Sequence, residues 1–417
     1  MLRLGEDTRQ AGIVALMRSA LTQRPRLVQQ AERFAGPFLW AVLALAAGAA
    51  AVWSLIDPSR ALWVAVSVLI VTCPCALSLA APSALLAATG ALARRGVLLQ
   101  RIEALEGLAG IDMVAFDKTG TLTRDRLELG ETRVLGAGGD AAALLGRAAA
   151  LAELSTHPAS RALVAAAGDA ARDATWREVE ELPGQGLEAT APDGTRWRLG
   201  RRAWVDARLA DSAEVPEGAL CFGRAGDAQA AFVLREQLRD DALATIAALR
   251  AEGVELALLS GDAPARAAAL AQRLGITEIQ GGATPADKLA AVAAWQAQGR
   301  RVAMVGDGLN DAPVLARADV SFAFAHGSAV ARSGADVVLL GERLADVLVA
   351  RRQARRTLSV IRQNLAWAAL YNAACVPLAL VGWLPPWAAG IGMASSSLLV
   401  VLNALRVAQL APTPGQG

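Results

Sequence analysis

At 417 residues the chain is long enough for two or three folded units, and a 54% hydrophobic content with positive mean hydropathy is more than a wholly soluble protein needs. A formal net charge of +2, with no basic patch interleaved with aromatics, excludes a nucleic-acid-binding polycation. Four cysteines, at 73, 75, 221 and 375, are too few and too scattered for a disulfide framework and point to a reducing compartment.

Residues 1–35 are charged and polar without an apolar core, so no cleavable signal peptide is expected there. The stretch from Pro37 to Ile56 is almost uncharged and long enough to cross ~30 Å of hydrocarbon. A second such run covers Ala61 to Ala93. Within it stands Cys73-Pro74-Cys75, whose two thiols would point to opposite sides of an ideal helix. Proline removes a backbone hydrogen bond and breaks the helix, which can turn both sulfurs into one cavity. Soft thiolates of that kind select Cu(I), or Zn²⁺ and its heavier relatives; the bland alternative is a kinked helix with two packed cysteines.

From about Gly96 to Val360 the pattern becomes short apolar runs alternating with helical stretches, an α/β arrangement. Met113 to Phe116 reads as a buried strand delivering Asp117-Lys118-Thr119-Gly120-Thr121-Leu122-Thr123 at its tip. A carboxylate beside a glycine turn suits a nucleophile attacking phosphorus, whereas an arbitrary Asp-Lys pair is usually only a strand-ending turn. The following interval, about Arg126 to Arg235, has its own short strands and turns and reads as an inserted domain. It carries Ser155-Thr156-His157-Pro158 and Pro183-Gly184-Gln185-Gly186; an isolated His-Pro is commonly no more than a helix start.

Two later strands, Leu256 to Leu259 and Arg301 to Val305, end at Ser260-Gly261-Asp262 and at Gly306-Asp307-Gly308-Leu309-Asn310-Asp311. Right-handed crossovers in a parallel sheet bring all three tips into one crevice. Asp307 and Asp311 offer oxygen ligands for Mg²⁺, Lys288 in Thr284-Pro285-Ala286-Asp287-Lys288 supplies fixed positive charge, and Ser260 can donate to a phosphate. Two more apolar runs, Leu365 to Leu384 and Pro386 to Leu405, complete four spans in two pairs. Their polar interruptions are Tyr371-Asn372 in one and Met393, Ser396 and Ser397 in the other. A methionine thioether is a ligand for Cu(I) and a poor one for Zn²⁺, while Cys375 reads as packing. Arginines at 24, 26, 33, 94, 95, 101, 351, 352, 355, 356, 362 and 406 flank the spans on one side, which places the middle segment and both chain ends in the cytoplasm.

Together these strings resemble the P-type ATPases, whose phosphorylation domain has the haloacid-dehalogenase-like fold, over about Leu4 to Gln409. The resemblance implies a membrane α-helical bundle plus an α/β Rossmannoid phosphorylation domain with an inserted α+β nucleotide-binding domain. The expected boundaries are a lead-in at 1–36, spans at 37–95 and 351–410, a phosphorylation domain at 96–125 with 236–350, a nucleotide-binding domain at 126–235 and a tail at 411–417. Asp117 matches the aspartate that becomes the aspartyl phosphate, with Lys118, Thr119, Ser260, Gly261, Asp262, Lys288 and Asn310 around it. Asp117, Thr119, Asp307 and Asp311 are the implied Mg²⁺ ligands, and His157, Pro158, Gly184 and Gly186 the ATP contacts. The glutamate that often precedes that histidine aligns with Ala152, so this chain departs from the pattern there.

Cys73, Cys75, Tyr371, Asn372, Met393 and Ser397 resemble the metal ligands of copper-exporting members, and the Trp383 to Trp387 segment with the Val401 to Arg406 ending is similar to pumps that serve cytochrome oxidase assembly. The implied setting is a multi-pass protein of the bacterial inner membrane that exports Cu(I). A copper chaperone, or a separate chain supplying the Thr-Gly-Glu actuator that this sequence lacks, is the implied partner, and the chain reads as a truncated or split pump. Two rivals remain: a membrane-tethered phosphatase of the same fold, and a metal-binding scaffold with a relic catalytic domain.

Overall fold

The computed structural model describes residues 26–410 except 74, 136–138, 169–174, 211, 217, 307–310 and 326–333; the side chains of 26–35, 37–39, 75–77 and 125–126 are also outside the description. Contacts divide the chain into two units, Leu122–Arg239 and the remainder.

The larger unit opens with α1 (Arg26–Ile56), α2 (Pro58–Val71) and α3 (Cys75–Arg95). Asp57 starts α2 by accepting from the Ser59 amide at 3.1 Å, and Pro58 occupies the first turn, where a missing N–H costs nothing. The apolar run at 61–93 is thus two helices, one ending at Val71 and the next starting at Cys75. Among the described residues, one helical segment, Pro386–Ala408, is long and apolar enough by itself to cross a membrane. Trp40–Ile56 and Pro58–Val71 are shorter apolar helical segments among the described residues.

Next come β1 (Val97–Leu99), α4 (Glu103–Ala109) and β2 (Met113–Asp117). After the insertion the chain returns through α7 (Ala242–Ala251), β9 (Glu255–Leu259), α8 (Pro264–Leu274), β10 (Glu278–Gln280), α9 (Pro285–Ala297), β11 (Val302–Gly306), α10 (Ala312–Arg317), β12 (Val320–Phe324) and β13 (Val337–Leu339). The sheet order is β1-β13-β12-β11-β2-β9-β10, parallel except at the β1–β13 edge. β2 is buried throughout, as a central parallel strand must be, and this is why its sequence runs apolar rather than alternating. Met113, Ala115, Ala257, Leu259, Val302 and Met304 pack against Val292 of α9 and Val314 and Leu315 of α10. The alternation of β and α with one parallel sheet matches the α/β class read from the sequence.

The unit closes with α11 (Ala345–Leu380), 36 residues long, and α12 (Pro386–Leu405). Helix α11 continues without interruption from a segment packed on α4 and α7 into one packed on α2, α3 and α12. Hydropathy sees only its apolar half.

The smaller unit is a six-stranded antiparallel sheet in the order β3 (Thr123–Val134), β8 (Asp227–Leu238), β7 (Leu220–Arg224), β6 (Arg196–Arg201), β5 (Gly186–Thr190), β4 (Arg177–Leu182). Helices α5 (Ala141–Ala152) and α6 (Pro158–Ala167) cover one face, where Leu144, Leu151 and Leu163 meet Trp197, Phe222 and Phe232. The Arg147 guanidinium lies 4.0 Å from the Trp197 ring centroid, a contact that lets a cation sit over a buried aromatic.

Candidate active site

Strands β11, β2 and β9 are neighbours, with Val305 opposite Phe116 and Asp117 opposite Leu259. The three polar tips expected from the sequence therefore stand side by side. Asp117 is buried, and the turn after it is made possible by Gly120 at φ +69°, a backbone region that disfavours residues with a Cβ.

Lys288 reaches this tip from the first turn of α9. The start of that helix is fixed by Thr284, whose hydroxyl accepts from the Asp287 amide while Asp287 accepts from the Thr284 backbone, and by Pro285 beside it. The Lys288 ammonium lies 2.5 Å from Asp117 Oδ1 and 2.7 Å from Asp311 Oδ1, and all three side chains are buried. Gly306 makes room for Asp311: a Cβ there would stand 3.1 Å from Asp311 Oδ2.

One ammonium between two carboxylates leaves an excess negative charge in a dry place. Burial, and after it the charge of Asp311, push Asp117 up to about 6, against the lowering pull of Lys288. Burial pulls Lys288 down, but the two carboxylates outweigh it and hold its pKa above the ordinary value, so it stays cationic. A second ion pair flanks the first: Lys118 Nζ lies 2.5 Å from Asp262 Oδ2, joining the turn after β2 to the turn after β9. Ser260 Oγ accepts from the Asp262 amide at 3.1 Å, so the hydroxyl expected to face a phosphate also shapes its own turn. Thr119 and Gly261 are exposed beside it. Asp307 and Asn310 lie outside the described residues.

Oxygen donors at Asp117 and Asp311 suit Mg²⁺, because an uncompensated carboxylate pair is what a hard divalent cation relieves. The Lys118–Asp262 pairing and the sharing of Lys288 could not be read from sequence, since neither spacing nor residue type says which cation meets which anion. Arg351, expected only to flank a span, is a third such case. Its guanidinium is buried, donates to the Ile111 carbonyl and pairs with Glu252 at 2.5 Å.

In the smaller unit His157 is exposed at the start of α6, with Nδ1 accepting from the Ala159 amide at 3.2 Å. That bond assigns the proton of the neutral ring to Nε2, a donor facing outward. Pro158 takes the first helical position. Gly184, at φ +74°, is in the β4–β5 turn with open space where a Cβ would stand. Gly186 differs: a Cβ would fall 2.1 Å from the Leu199 carbonyl oxygen, and Gly200 has the mirrored approach to Gln185. A close backbone approach at Gly186 is therefore already required between β5 and β6.

Among the α2, α3, α11 and α12 residues, Tyr371, Asn372, Met393 and Ser397 are half-buried. The Tyr371 hydroxyl lies against Gly392, and Cys375 is half-buried one turn further along α11. Ser396 is taken by Trp367 Nε1 at 3.1 Å. Cys73 is half-buried, and the side chain of Cys75 lies outside the description. No three His, Cys, Asp or Glu side chains gather as a metal cluster among the described residues.

The haloacid dehalogenase-like hydrolase family matches residues 111–319. The chain is 37% identical over 424 residues to a copper-exporting P-type ATPase of Mycobacterium tuberculosis, covering 99% of this chain and 55% of that protein. It is 35% identical to a probable copper-transporting ATPase, PacS, of Synechococcus elongatus, covering 98% and 57%. The chain spans about half the length of the curated relatives it matches. A crystal structure of a zinc-transporting PIB-type ATPase in its E2.Pi state superimposes with a TM-score of 0.78 at 32% identity, covering 98% of this chain and 69% of that one.

Proposed function

Because the chain belongs to the P-type ATPases and carries their haloacid dehalogenase-like hydrolase domain, we propose that Asp117 accepts the γ-phosphoryl group of ATP and that this step drives export of a heavy-metal ion. The observation that carries the reading is the buried Lys288 ammonium shared by Asp117 and Asp311 at neighbouring strand tips.

The carboxylate of Asp117 attacks the γ-phosphorus in line; the new bond is carboxyl O–P, and the bond to the β-phosphate oxygen breaks to release ADP. Lys288 provides positive charge that is already in place before charge spreads over the equatorial oxygens. Lys118, held by Asp262, fixes the turn through which the nucleophile is presented. Asp117, Asp311, Thr119 and Asp307 would hold Mg²⁺, which supplies neutralisation of phosphate charge when bound. His157, through Nε2–H, with Pro158 and Gly184 would contact the nucleotide.

The cargo we assign is Cu(I), with Cys73, Cys75, Tyr371, Asn372, Met393 and Ser397 as its surroundings. The support is chemical: a thioether suits Cu(I) and serves Zn²⁺ poorly, and no Asp or Lys stands in either of the last two apolar runs. Thiolate ligation requires Cys73 to be reduced. The one-sided arginines favour an inner-membrane protein with its catalytic residues in the cytoplasm.

The test is to incubate the purified chain with ATP radiolabelled at the γ-phosphate and Mg²⁺, quench with acid, and compare with Asp117→Asn. Acid-stable label in the wild type alone is expected. Equal label in both overturns the assignment, and release of phosphate from small phosphoesters without ATP dependence would favour a tethered phosphatase.

A further inference from the structure

Three arginines make hydrogen bonds around the end of α12. Arg94, in the last turn of α3, donates to the Ala408 carbonyl at 2.8 Å; Arg356 of α11 donates to the next carbonyl, Gln409, at 3.0 Å; Arg406 itself follows Leu405 and donates to Asn403 Oδ1 at 3.0 Å. From Val347 to the last residue the sequence contains no aspartate or glutamate, and among the described residues none of these three arginines forms an ion pair. Arg351 and Arg352 on the same helix are different, because both pair with Glu252.

Each of the three has one described bond out of five N–H donors. Two helices, α3 and α12, end here, and their carbonyl ends contribute only roughly −0.5 charge each. Against three full positive charges, about two remain uncompensated. An anion with several acceptor oxygens would relieve that excess.

The same end of α12 meets an apolar face. Ile391, Leu398, Leu402 and Leu405 recur at spacings of seven, four and three residues, so they lie on one side of the helix, and each is more than half exposed. An apolar stripe running into a cluster of guanidinium groups matches a molecule with acyl chains below a phosphate. We propose that Arg94, Arg356 and Arg406 seat the headgroup phosphate of an anionic phospholipid whose chains lie along the α12 stripe. The seat joins α3, α11 and α12, the helices that begin at Cys75 and carry Tyr371 and Met393, so an occupied seat ties the cytoplasmic ends of those helices together. The inference rests on the membrane-embedded reading above.

The experiment uses the full chain, delipidated in detergent and then offered mixed micelles of phosphatidylglycerol and phosphatidylcholine in equal parts, with retained lipid identified by native mass spectrometry. Phosphatidylglycerol is expected to be retained preferentially. Arg356→Gln should weaken that retention roughly tenfold or more, the scale of a hydrogen bond to a charged group. Arg362→Gln, which removes the same charge from the same helix outside the cluster, should cost about fivefold at most and lose its effect at high salt.

Equal losses in the two variants, or equal retention of both lipids, overturns the proposal. Full displacement by millimolar inorganic phosphate marks a free-anion seat and overturns it too. So does a changed oligomeric mass in the triple Arg94→Gln/Arg356→Gln/Arg406→Gln variant, which would mark a protein contact. Wild-type chain that fails to insert into neutral phosphatidylcholine vesicles defeats the membrane reading instead, so the two failures are distinguishable.

Discussion

The guanidinium of Arg351, on α11, donates through both Nε and Nη2 to the carbonyl of Ile111, two residues before the strand that ends at Asp117. Helix α11 thereby grips the entry to β2 and continues unbroken to Tyr371. A rigid helix holding both places is a physical means for the phosphorylation site and the helical bundle to sense each other.

Replacing Arg351 with Met removes both donors from a buried carbonyl and leaves Glu252 with Arg352 alone. The expected cost is about 2 kcal/mol, the penalty for an unsatisfied buried acceptor. Arg352→Gln keeps the Ile111 bonds and breaks a half-exposed pair, so it should cost under about 1 kcal/mol. Thermal unfolding of the detergent-solubilised chain measures both, and equal effects would deny Arg351 its special place.

Asp117 must be ionised to attack, and its pKa is pushed up to about 6 by burial first and by Asp311 second. Phosphorylation measured as kcat/KM, which reports the free protein, should therefore decline as pH falls through about 6. The sign of two changes follows. Asp311→Asn removes a negative charge that opposes ionisation, so the acid limb moves to lower pH; Lys288→Gln removes the cation that favours ionisation, so the limb moves to higher pH and the rate falls on the order of 10²-fold. A limb that stays in place in both variants would show that another group governs it.

Much of this site was legible because an apolar strand interrupted by polar residues declares its own tip. Asp117, Ser260 and Gly306 each follow such a run, and parallel neighbours bring the tips together without further information. Lys288 was legible for a local reason, since Thr284, Pro285 and Asp287 start a helix and place it in the first turn. Helix extents were not. Hydropathy counts Arg351 and Arg352 as polar, although in the fold Glu252 and a carbonyl absorb them, and so it cuts α11 in half. It likewise reads across Cys-Pro-Cys, where the chain divides into two helices. Ion-pair partners come from tertiary placement and were beyond any spacing rule.

The two glycines of the β4–β5 turn separate fold from ligand contact. Gly186→Ala places a Cβ against the Leu199 carbonyl at 2.1 Å, so it should destabilise the chain by at least about 2 kcal/mol. Gly184→Ala meets open space and costs only the left-handed strain, about 1 kcal/mol. Titration with a fluorescent ATP analogue, scaled to the folded fraction, should show weaker binding for Gly184→Ala and little change for Gly186→Ala. The reverse order would put the nucleotide against β5 rather than at the turn.

The metal assignment turns on sulfur chemistry and its redox state. Cys73 and Cys75 can serve a soft ion only as thiolates, so chain whose thiols have been oxidised should bind neither Cu(I) nor Zn²⁺ in the helical bundle. After reduction under anaerobic conditions, Cys73→Ser should weaken both ions, because thiolate serves both. Met393→Ala should weaken Cu(I) roughly tenfold, about 1.4 kcal/mol, and leave Zn²⁺ nearly unchanged, because only the softer ion gains from a thioether. Competition titrations with a chromophoric chelator for each metal give these affinities directly. If Met393→Ala weakens Zn²⁺ as much as Cu(I), the thioether is acting through packing of α12 and the preference for copper loses its chemical basis.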